Sequence, residues 1–237
     1  MEANGAPRAI EGLHRLNAIV RAQLTQAHPE NLEPQILSVR TAARSGLFHI
    51  EAVQLRFANG SEREYERVAG PTSAGAVLIV PLLDPTTVLL VREYAVGLER
   101  YELGFPMGCM KDGESALEAA NRELMEETGY AARKLERLYT LSLAPGILGY
   151  RMEVVFATSL HARRQPGDEP EPPEIVKWPI DRLDEVLERQ DVSDARTLAA
   201  LFIARRALLK ARAFVESPLA REPAVEHLAG GGDPSGG

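Results

Sequence analysis

Cysteine is almost absent from this sequence, since Cys109 is the only one among 237 residues. A single thiol can form neither an intramolecular disulfide nor a cysteine-based zinc site. The chain also has no apolar run of about 18 residues, the length that a membrane-spanning helix needs. Its start, MEANGAPRAIEGLH, has no apolar signal-peptide core. These absences predict a cytoplasmic protein that does not act at a membrane.

An excess of basic residues is lacking as well. The 27 lysines and arginines are outnumbered by 34 aspartates and glutamates, which gives a formal net charge of -7. This balance argues against a protein that holds nucleic acid on a basic surface. It is compatible with a small phosphorylated ligand, because a bound metal ion can invert the charge of an acidic site.

Changes in apolar periodicity divide the chain into four segments. Residues 1–34 are interpreted as an N-terminal extension, in which residues 8–26 are predicted to form an amphipathic helix. Residues 35–74 have the period of strands, and residues 75–215 are predicted to form the main domain. The Gly-rich residues 216–237 are predicted to be a flexible tail.

Turn and cap residues predict a hairpin and the starts of two further helices. Asn59 and Gly60 stand between two strand-like runs and predict a hairpin, because both residues tolerate positive φ. Near the C-terminal end, Asp181 and Ser193 are predicted to cap two closing helices.

One helix in the middle of the chain has clear start and stop signals. Ser115 followed by Glu118 is a capping box, which predicts a helix that begins at about Ala116. Gly129 supplies the stop. The predicted apolar stripe of this helix is Leu117, Ala120 and Leu124.

The same helix carries an acidic face. Glu123, Glu126 and Glu127 fall at i, i+3 and i+4, so their carboxylates lie within reach of one common ion. An all-oxygen cluster of this kind is suited to Mg²⁺ or Mn²⁺. The plainer alternative is a set of solvated helix glutamates, which is the usual state of a charge run.

The spacing of these residues matches every defined position of the Nudix box. Gly108 is followed after five residues by Glu114, and after seven more by the run RELMEETGY, residues 122–130. The chain therefore resembles the Nudix hydrolases. The resemblance implies an α/β fold, a Nudix α/β/α sandwich with a mixed sheet, here preceded by an N-terminal β-strand segment. It also implies metal-dependent cleavage of a nucleoside diphosphate linked to another moiety.

The resemblance assigns roles to individual residues. Glu126 and Glu127 are expected to be catalytic, and Arg122 is expected to orient the glutamates by ion pairing. The expected metal ligands are Met107, through its carbonyl, and Glu114, Glu123, Glu126 and Glu127.

Segments outside the box resemble the ADP-ribose pyrophosphatase branch of the family. Pro145 lies fifteen residues after Tyr130, a position that marks this branch. The resemblance implies that ADP-ribose is the preferred substrate and that AMP and ribose 5-phosphate are the products. The alternatives are dinucleoside polyphosphates or NADH as the main substrate, or a non-catalytic domain that senses ADP-ribose or NAD.

Further residues are expected at the substrate by the same resemblance. The expected substrate-binding residues are Arg92, Glu93, Tyr94, Glu102 and Pro145. Tyr94 has core packing as an alternative role. Glu169 and Glu171, in the loop GDEPEPPE, are candidates for the general base, unless this loop is only an acidic, solubilising surface.

The strands before Gly75 resemble a segment that relatives pack across a homodimer. Exposed strand edges need covering, which favours a twofold dimer.

Overall fold

The structure is a computed structural model that describes residues 33–46, 48–69, 75–149, 151–167 and 170–215. The predicted helix over residues 8–26 and the predicted tail over residues 216–237 lie outside the described residues. The chain divides into two compact units, of which the first contains the N-terminal strands and residues 146–149, and the second contains the rest of the described chain.

The first unit is a three-stranded antiparallel sheet with the order β1-β2-β3. Its strands are β1 (Gln35–Arg44), β2 (His49–Arg56) and β3 (Glu62–Ala69). The predicted hairpin is confirmed between β2 and β3, where Gly60 has a φ of 80° and Ser61 N donates to Asn59 Oδ1 at 3.0 Å. This side-chain bond closes the turn and fixes the strand register.

The second unit contains a seven-stranded mixed sheet. Its strands are β4 (Ala76–Asp84), β5 (Thr87–Ala95), β6 (Arg100–Gly104), β7 (Met107–Cys109), β8 (Tyr130–Ser142), β9 (Arg151–Ala162) and β10 (Glu174–Pro179). The main order is β10-β5-β4-β9-β8, with β6 paired to β5 and β7 paired to β4. Only β4 and β9 run parallel among these described pairs, and the others are antiparallel.

Helices cover both faces of this sheet. The helices are α1 (Ala116–Thr128), a 3-10 helix (Ile180–Glu188) and α2 (Ala195–Val215). Val77 and Ile79 of β4 pack in the cluster that contains Ala120 and Leu124 of α1. The alternate residues of β4 pack in a second cluster with the 3-10 helix and α2. Alternation of side chains across a strand therefore explains why β4 is apolar throughout, and the predicted α/β/α sandwich is confirmed.

Two details of the helices differ from the prediction. Leu117 is 38% exposed, and Ala116 rather than Leu117 packs with Ala119, Ala120 and Leu124. In addition, the cap of α2 is Asp194, whose Oδ1 accepts from Arg196 N at 2.8 Å.

Neither residue predicted to cap the closing helices does so. Ser193 is committed to Glu102, because both its N and its Oγ donate to that carboxylate. Asp181 lies inside the 3-10 helix, which has Pro179 at its N-cap position and no side-chain cap bond. None of the helices in the described part of the chain is both long and apolar enough to span a membrane.

Candidate active site

The helix α1 is fixed at both ends by the residues that predicted it. Ser115 N donates to Glu118 Oε2 at 2.9 Å, and Glu118 N donates back to Ser115 Oγ at 3.3 Å. At the other end Gly129 takes the left-handed conformation with a φ of 73°, and its N–H bonds the carbonyl of Met125. These caps fix where the helix begins and where it ends.

Arg122 is the centre of a carboxylate cluster. Its Nε and Nη2 donate to the two carboxylate oxygens of Glu114, each at 2.9 Å. Its Nη1 donates to Glu123 at 2.7 Å and to Glu126 at 3.2 Å. The remaining contact of Nη2 is the carbonyl oxygen of Cys109 at 2.9 Å. One guanidinium thus fixes three glutamates and the loop that precedes α1.

The electrostatics of the pair of Arg122 and Glu114 favour the charged forms of both side chains. The hydrogen bond from Arg122 lowers the pKa of Glu114 below its usual value, although partial burial opposes this effect. The hydrogen bond to Glu114 in turn raises the pKa of Arg122. Both side chains are only 15% exposed, so the charges interact through protein more than through water.

The other box glutamates are also buried. Glu123 is 7% exposed and Glu127 is 2% exposed. Buried carboxylates destabilise a fold unless cations or hydrogen-bond donors compensate them. Arg122 binds three of the box glutamates, Glu114, Glu123 and Glu126, so its single positive charge is outnumbered by the carboxylates that it binds.

Gly108 leaves space for one of these carboxylates. It lies in β7, opposite Val77 of β4. A Cβ atom at Gly108 would lie 2.1 Å from the carboxyl carbon of Glu123 and 2.1 Å from its Oε1. The position therefore accepts no side chain while Glu123 stays where it is.

The donor chemistry of the cluster fits a hard divalent cation, because every side-chain donor is a carboxylate oxygen. Gly108 makes room for one of these carboxylates, that of Glu123. In the described part of the chain, however, no three His, Cys, Asp or Glu side chains are already arranged to hold a metal ion. Glu114, Glu123 and Glu126 are turned toward Arg122 instead. Metal binding therefore requires these side chains to reorient.

The residues expected to bind substrate lie at the end of β5 and in its neighbour β6. Arg92 lies 5.4 Å from the ring centroid of Tyr101, and the rings of Tyr94 and Tyr101 meet edge to face at 5.5 Å. Arg92 also pairs with Glu174 at 3.4 Å. Tyr94 is 53% exposed, so its ring is not part of the core. With Glu93 and Glu171, these side chains line a cavity of about 490 Å³.

The remaining expected residues are spread over several elements. Glu102 accepts from Ser193 and from Arg100, whose Nε lies 2.7 Å away. Glu171 accepts a short hydrogen bond from the hydroxyl of Tyr101, and this bond raises the pKa of Tyr101. Pro145 is exposed in the turn after β8, and Glu169 lies outside the described residues.

Sequence reasoning missed Tyr101, which contacts both Arg92 and Tyr94. The signal that could have identified it is the register of the β5–β6 hairpin, in which Tyr94 is directly opposite Tyr101. Met107, expected to offer its carbonyl, lies at the first position of β7, opposite Leu78.

Comparison with known proteins identifies the class of this site. The NUDIX domain model matches residues 72–202, and the model of the NudE-type Nudix hydrolase N-terminal domain matches residues 34–67. The chain belongs to the Nudix hydrolase family, and it is a pyrophosphatase of that family.

Two individual relatives and one solved structure show which members of the family the chain resembles. The chain is similar to the ADP compounds hydrolase NudE of Escherichia coli (strain K12), with 49% identity over 173 residues, 73% of this chain and 92% of the relative. It is 29% identical to the ADP-ribose pyrophosphatase of Bacillus subtilis (strain 168) over 174 residues, 70% of this chain and 91% of the relative. A crystal structure of an ADP compounds hydrolase matches with a TM-score of 0.71 and 47% identity, and covers 76% of this chain and 97% of that one. The resemblance predicted from the box is thus confirmed.

Proposed function

We propose that this enzyme hydrolyses the diphosphate bond of ADP-linked compounds, with ADP-ribose as the preferred substrate and AMP and ribose 5-phosphate as the products. The observation that carries the proposal is the carboxylate cluster around Arg122, which holds Glu114, Glu123 and Glu126 together beside a solvent-accessible cavity. The similarity to an ADP compounds hydrolase over 73% of the chain supports the choice of substrate class.

Nudix hydrolases generally need a divalent metal ion, and we assign Mg²⁺ to this one, with Mn²⁺ as a substitute. Its proposed ligands are the carbonyl of Met107 and the carboxylates of Glu114, Glu123, Glu126 and Glu127. A bound divalent ion supplies positive charge to the diphosphate and lowers the pKa of the attacking water. Carboxylate oxygens are the ligands that such hard ions prefer.

The side chains of the protein have separate duties in this proposal. Arg122 is proposed to orient Glu123 and Glu126 by ion pairing, and its Nη1 donates to both carboxylates. Water attacks one phosphorus and loses a proton, while the bond from that phosphorus to the bridging oxygen breaks. Glu169 and Glu171 are the proposed proton acceptors. The hydrogen bond from Tyr101 holds Glu171 in the wall of the cavity that Arg92 also lines.

The substrate-binding residues are proposed to be Arg92, Glu93, Tyr94, Glu102 and Pro145. The arrangement of Arg92 beside two tyrosine rings supports this choice, because aromatic faces and a guanidinium can bind a nucleobase and a phosphate. Tyr94 and Arg92 reach solvent in the same cavity. We further propose that the enzyme is cytoplasmic and works as a homodimer.

The decisive test replaces one proposed ligand. In Glu127→Gln the side chain keeps its size but loses its charge, so hydrolysis of ADP-ribose with Mg²⁺ should fall by at least about 100-fold. The release of AMP measures this rate. Glu136→Gln, at an exposed glutamate of β8, is the matched control and should keep wild-type activity.

Each outcome of this assay separates the alternatives. Near wild-type turnover by Glu127→Gln would reject the assignment of Glu127 as a ligand. Tight binding of ADP-ribose by the wild type without AMP release would identify a sensing domain. In a substrate panel, ADP-ribose should have a higher kcat/KM than NADH and diadenosine polyphosphates. A higher kcat/KM for one of these compounds would identify that compound as the main substrate.

A further inference from the structure

The loop that follows β9 is anchored to the end of α1. Arg163 N donates to the carbonyl of Gly129 at 2.9 Å, and Gln165 N donates to the carbonyl of Met125 at 3.3 Å. Arg164 lies between these two anchored residues. Its position is therefore set by the same helix that carries the box glutamates.

The side chain of Arg164 is seated against the backbone of Gly129. A Cβ atom at Gly129 would lie 3.1 Å from Nε and 3.2 Å from Nη2 of Arg164. This glycine already needs its left-handed conformation, with a φ of 73°, to end the helix. The missing side chain has a second effect, since it lets the guanidinium lie close to the end of α1.

Arg164 and Glu126 line one cavity of about 450 Å³. The other lining residues are Gln165, Pro166, Gly167, Pro172 and Pro173. A positive side chain thus shares a solvent-accessible space with a glutamate of the carboxylate cluster. Prolines make up much of the lining of this cavity, and their side chains cannot bind a charged ligand.

The guanidinium of Arg164 has no acidic partner among the described residues, whereas Arg122 and Arg92 both have such partners. Arg122 is bound by three glutamates, and Arg92 is paired with Glu174 and Asp191. Arg164 is exposed and available to an anion. A guanidinium binds phosphate oxygens through two parallel hydrogen bonds, and it counters the repulsion between an acidic site and an anionic substrate.

We propose that Arg164 binds a phosphate group of the substrate in the cavity beside Glu126. This inference rests on the proposed function, because it takes a diphosphate compound as the ligand. Arg164 is then a substrate-binding residue. Its position beside Glu126 is set by α1 and by Gly129, the glycine that ends this helix.

Kinetics with ADP-ribose and Mg²⁺ test the proposal in the full-length protein. In Arg164→Met the KM should rise by about 10- to 100-fold, which corresponds to the loss of one or two charge-assisted hydrogen bonds. Arg164→Lys should recover part of the lost affinity, because a lysine restores the positive charge but not the two parallel hydrogen bonds of a guanidinium. The KM of Arg164→Met should also depend less on salt concentration than that of the wild type. Arg163→Met, at the neighbouring exposed arginine outside the cavity lining, should keep the wild-type KM.

The melting temperature, measured beside the KM, distinguishes a substrate-binding role of Arg164 from a purely structural role. A cation near the end of a helix also stabilises that helix, so a purely structural arginine would lower the melting temperature of Arg164→Met and leave its KM unchanged. That result, in a wild type that hydrolyses ADP-ribose, would overturn the inference alone. Failure of the wild type to hydrolyse ADP-ribose would instead reject the proposed function.

Discussion

Gly108 decides the position of Glu123 by lacking a side chain. The carboxyl group of Glu123 occupies the space in which a Cβ atom of residue 108 would lie. Glu123 is 7% exposed and is held by Arg122 at 2.7 Å, so it has little room to retreat. The glycine of the box is therefore required by the neighbouring side chain of Glu123, and its backbone freedom is not the reason.

Replacement of this glycine should damage the site while the fold survives. In Gly108→Ala the new methyl group displaces Glu123 from Arg122, and activity toward ADP-ribose should fall at least about tenfold. Steady-state kinetics and circular dichroism measure the two effects. The control is Gly46→Ala, because a Cβ at Gly46 would meet nothing within 4 Å. Equal activity of both variants would contradict this account of Gly108.

Spacing along one helix predicts which of its side chains lie together. Glu123 and Glu126 lie together on α1 because residues three apart on a helix share a face, and both bind Arg122. Tyr101 and Arg164 could not be found in this way. The contact of Tyr101 depends on the pairing of two strands, and that of Arg164 depends on a loop more than thirty residues from Gly129 in sequence.

At the scale of elements, α1 carries its own start signal in the capping box of Ser115 and Glu118. The capping box satisfies backbone N–H groups that would otherwise lack a partner at the first turn of the helix. It lies at the opposite end of the helix from the cavity that Arg164 lines, so stability and substrate binding can be tested separately.

Removal of the cap should reduce stability and leave catalysis nearly unchanged. Ser115→Ala should lower the free energy of unfolding by about 1 kcal/mol, which urea denaturation of the purified protein measures. Ser142→Ala, at an exposed serine at the end of β8, is the matched control and should change stability little. A KM or kcat far from the wild-type value in Ser115→Ala would show that the cap also positions the glutamates.

Other elements show where local signals are overruled. The strands β4 and β5 are apolar over most of their length, and their central residues are buried. Ser193 looked like a cap, but a carboxylate 91 residues earlier, Glu102, binds its N and its Oγ. Local cap preference cannot anticipate a partner that only the tertiary fold brings near.

At the scale of the whole molecule, the N-terminal sheet exposes several large apolar side chains. They are Ile36, Val39 and Tyr65, and Phe48 directly before β2 is exposed as well. In the described chain, β1 is paired on one side only. An edge strand with apolar side chains favours pairing with another chain, which supports the proposed homodimer.

A charge placed on this sheet should weaken the dimer. Val39→Glu, at a side chain that is 45% exposed, should shift the mass measured by light scattering from two chains toward one, because an interface would have to bury the charge. Phe202→Glu is the control, since Phe202 is 73% exposed but lies on α2 of the second unit. A wild type with the mass of one chain at micromolar concentration would reject the dimer.

The connectivity of the large sheet was the part of the fold that sequence patterns left open. Apolar periodicity predicts strands in residues 35–74, and the resemblance to the Nudix hydrolases implies the sandwich class. The parallel pairing of β4 with β9 joins residues 76–81 to residues 152–157, and no local pattern specifies such a distant neighbour. Long-range pairing depends on the packing of the whole domain.

The bonds between Arg122 and the glutamates also affect the order in which the active molecule is assembled. Because this arginine already binds Glu114, Glu123 and Glu126, part of their negative charge has a counter-charge within the protein itself. Under the proposed function, a divalent ion would replace part of that internal counter-charge in an already folded site. Folding of the protein and activation by the proposed metal would then be separate events.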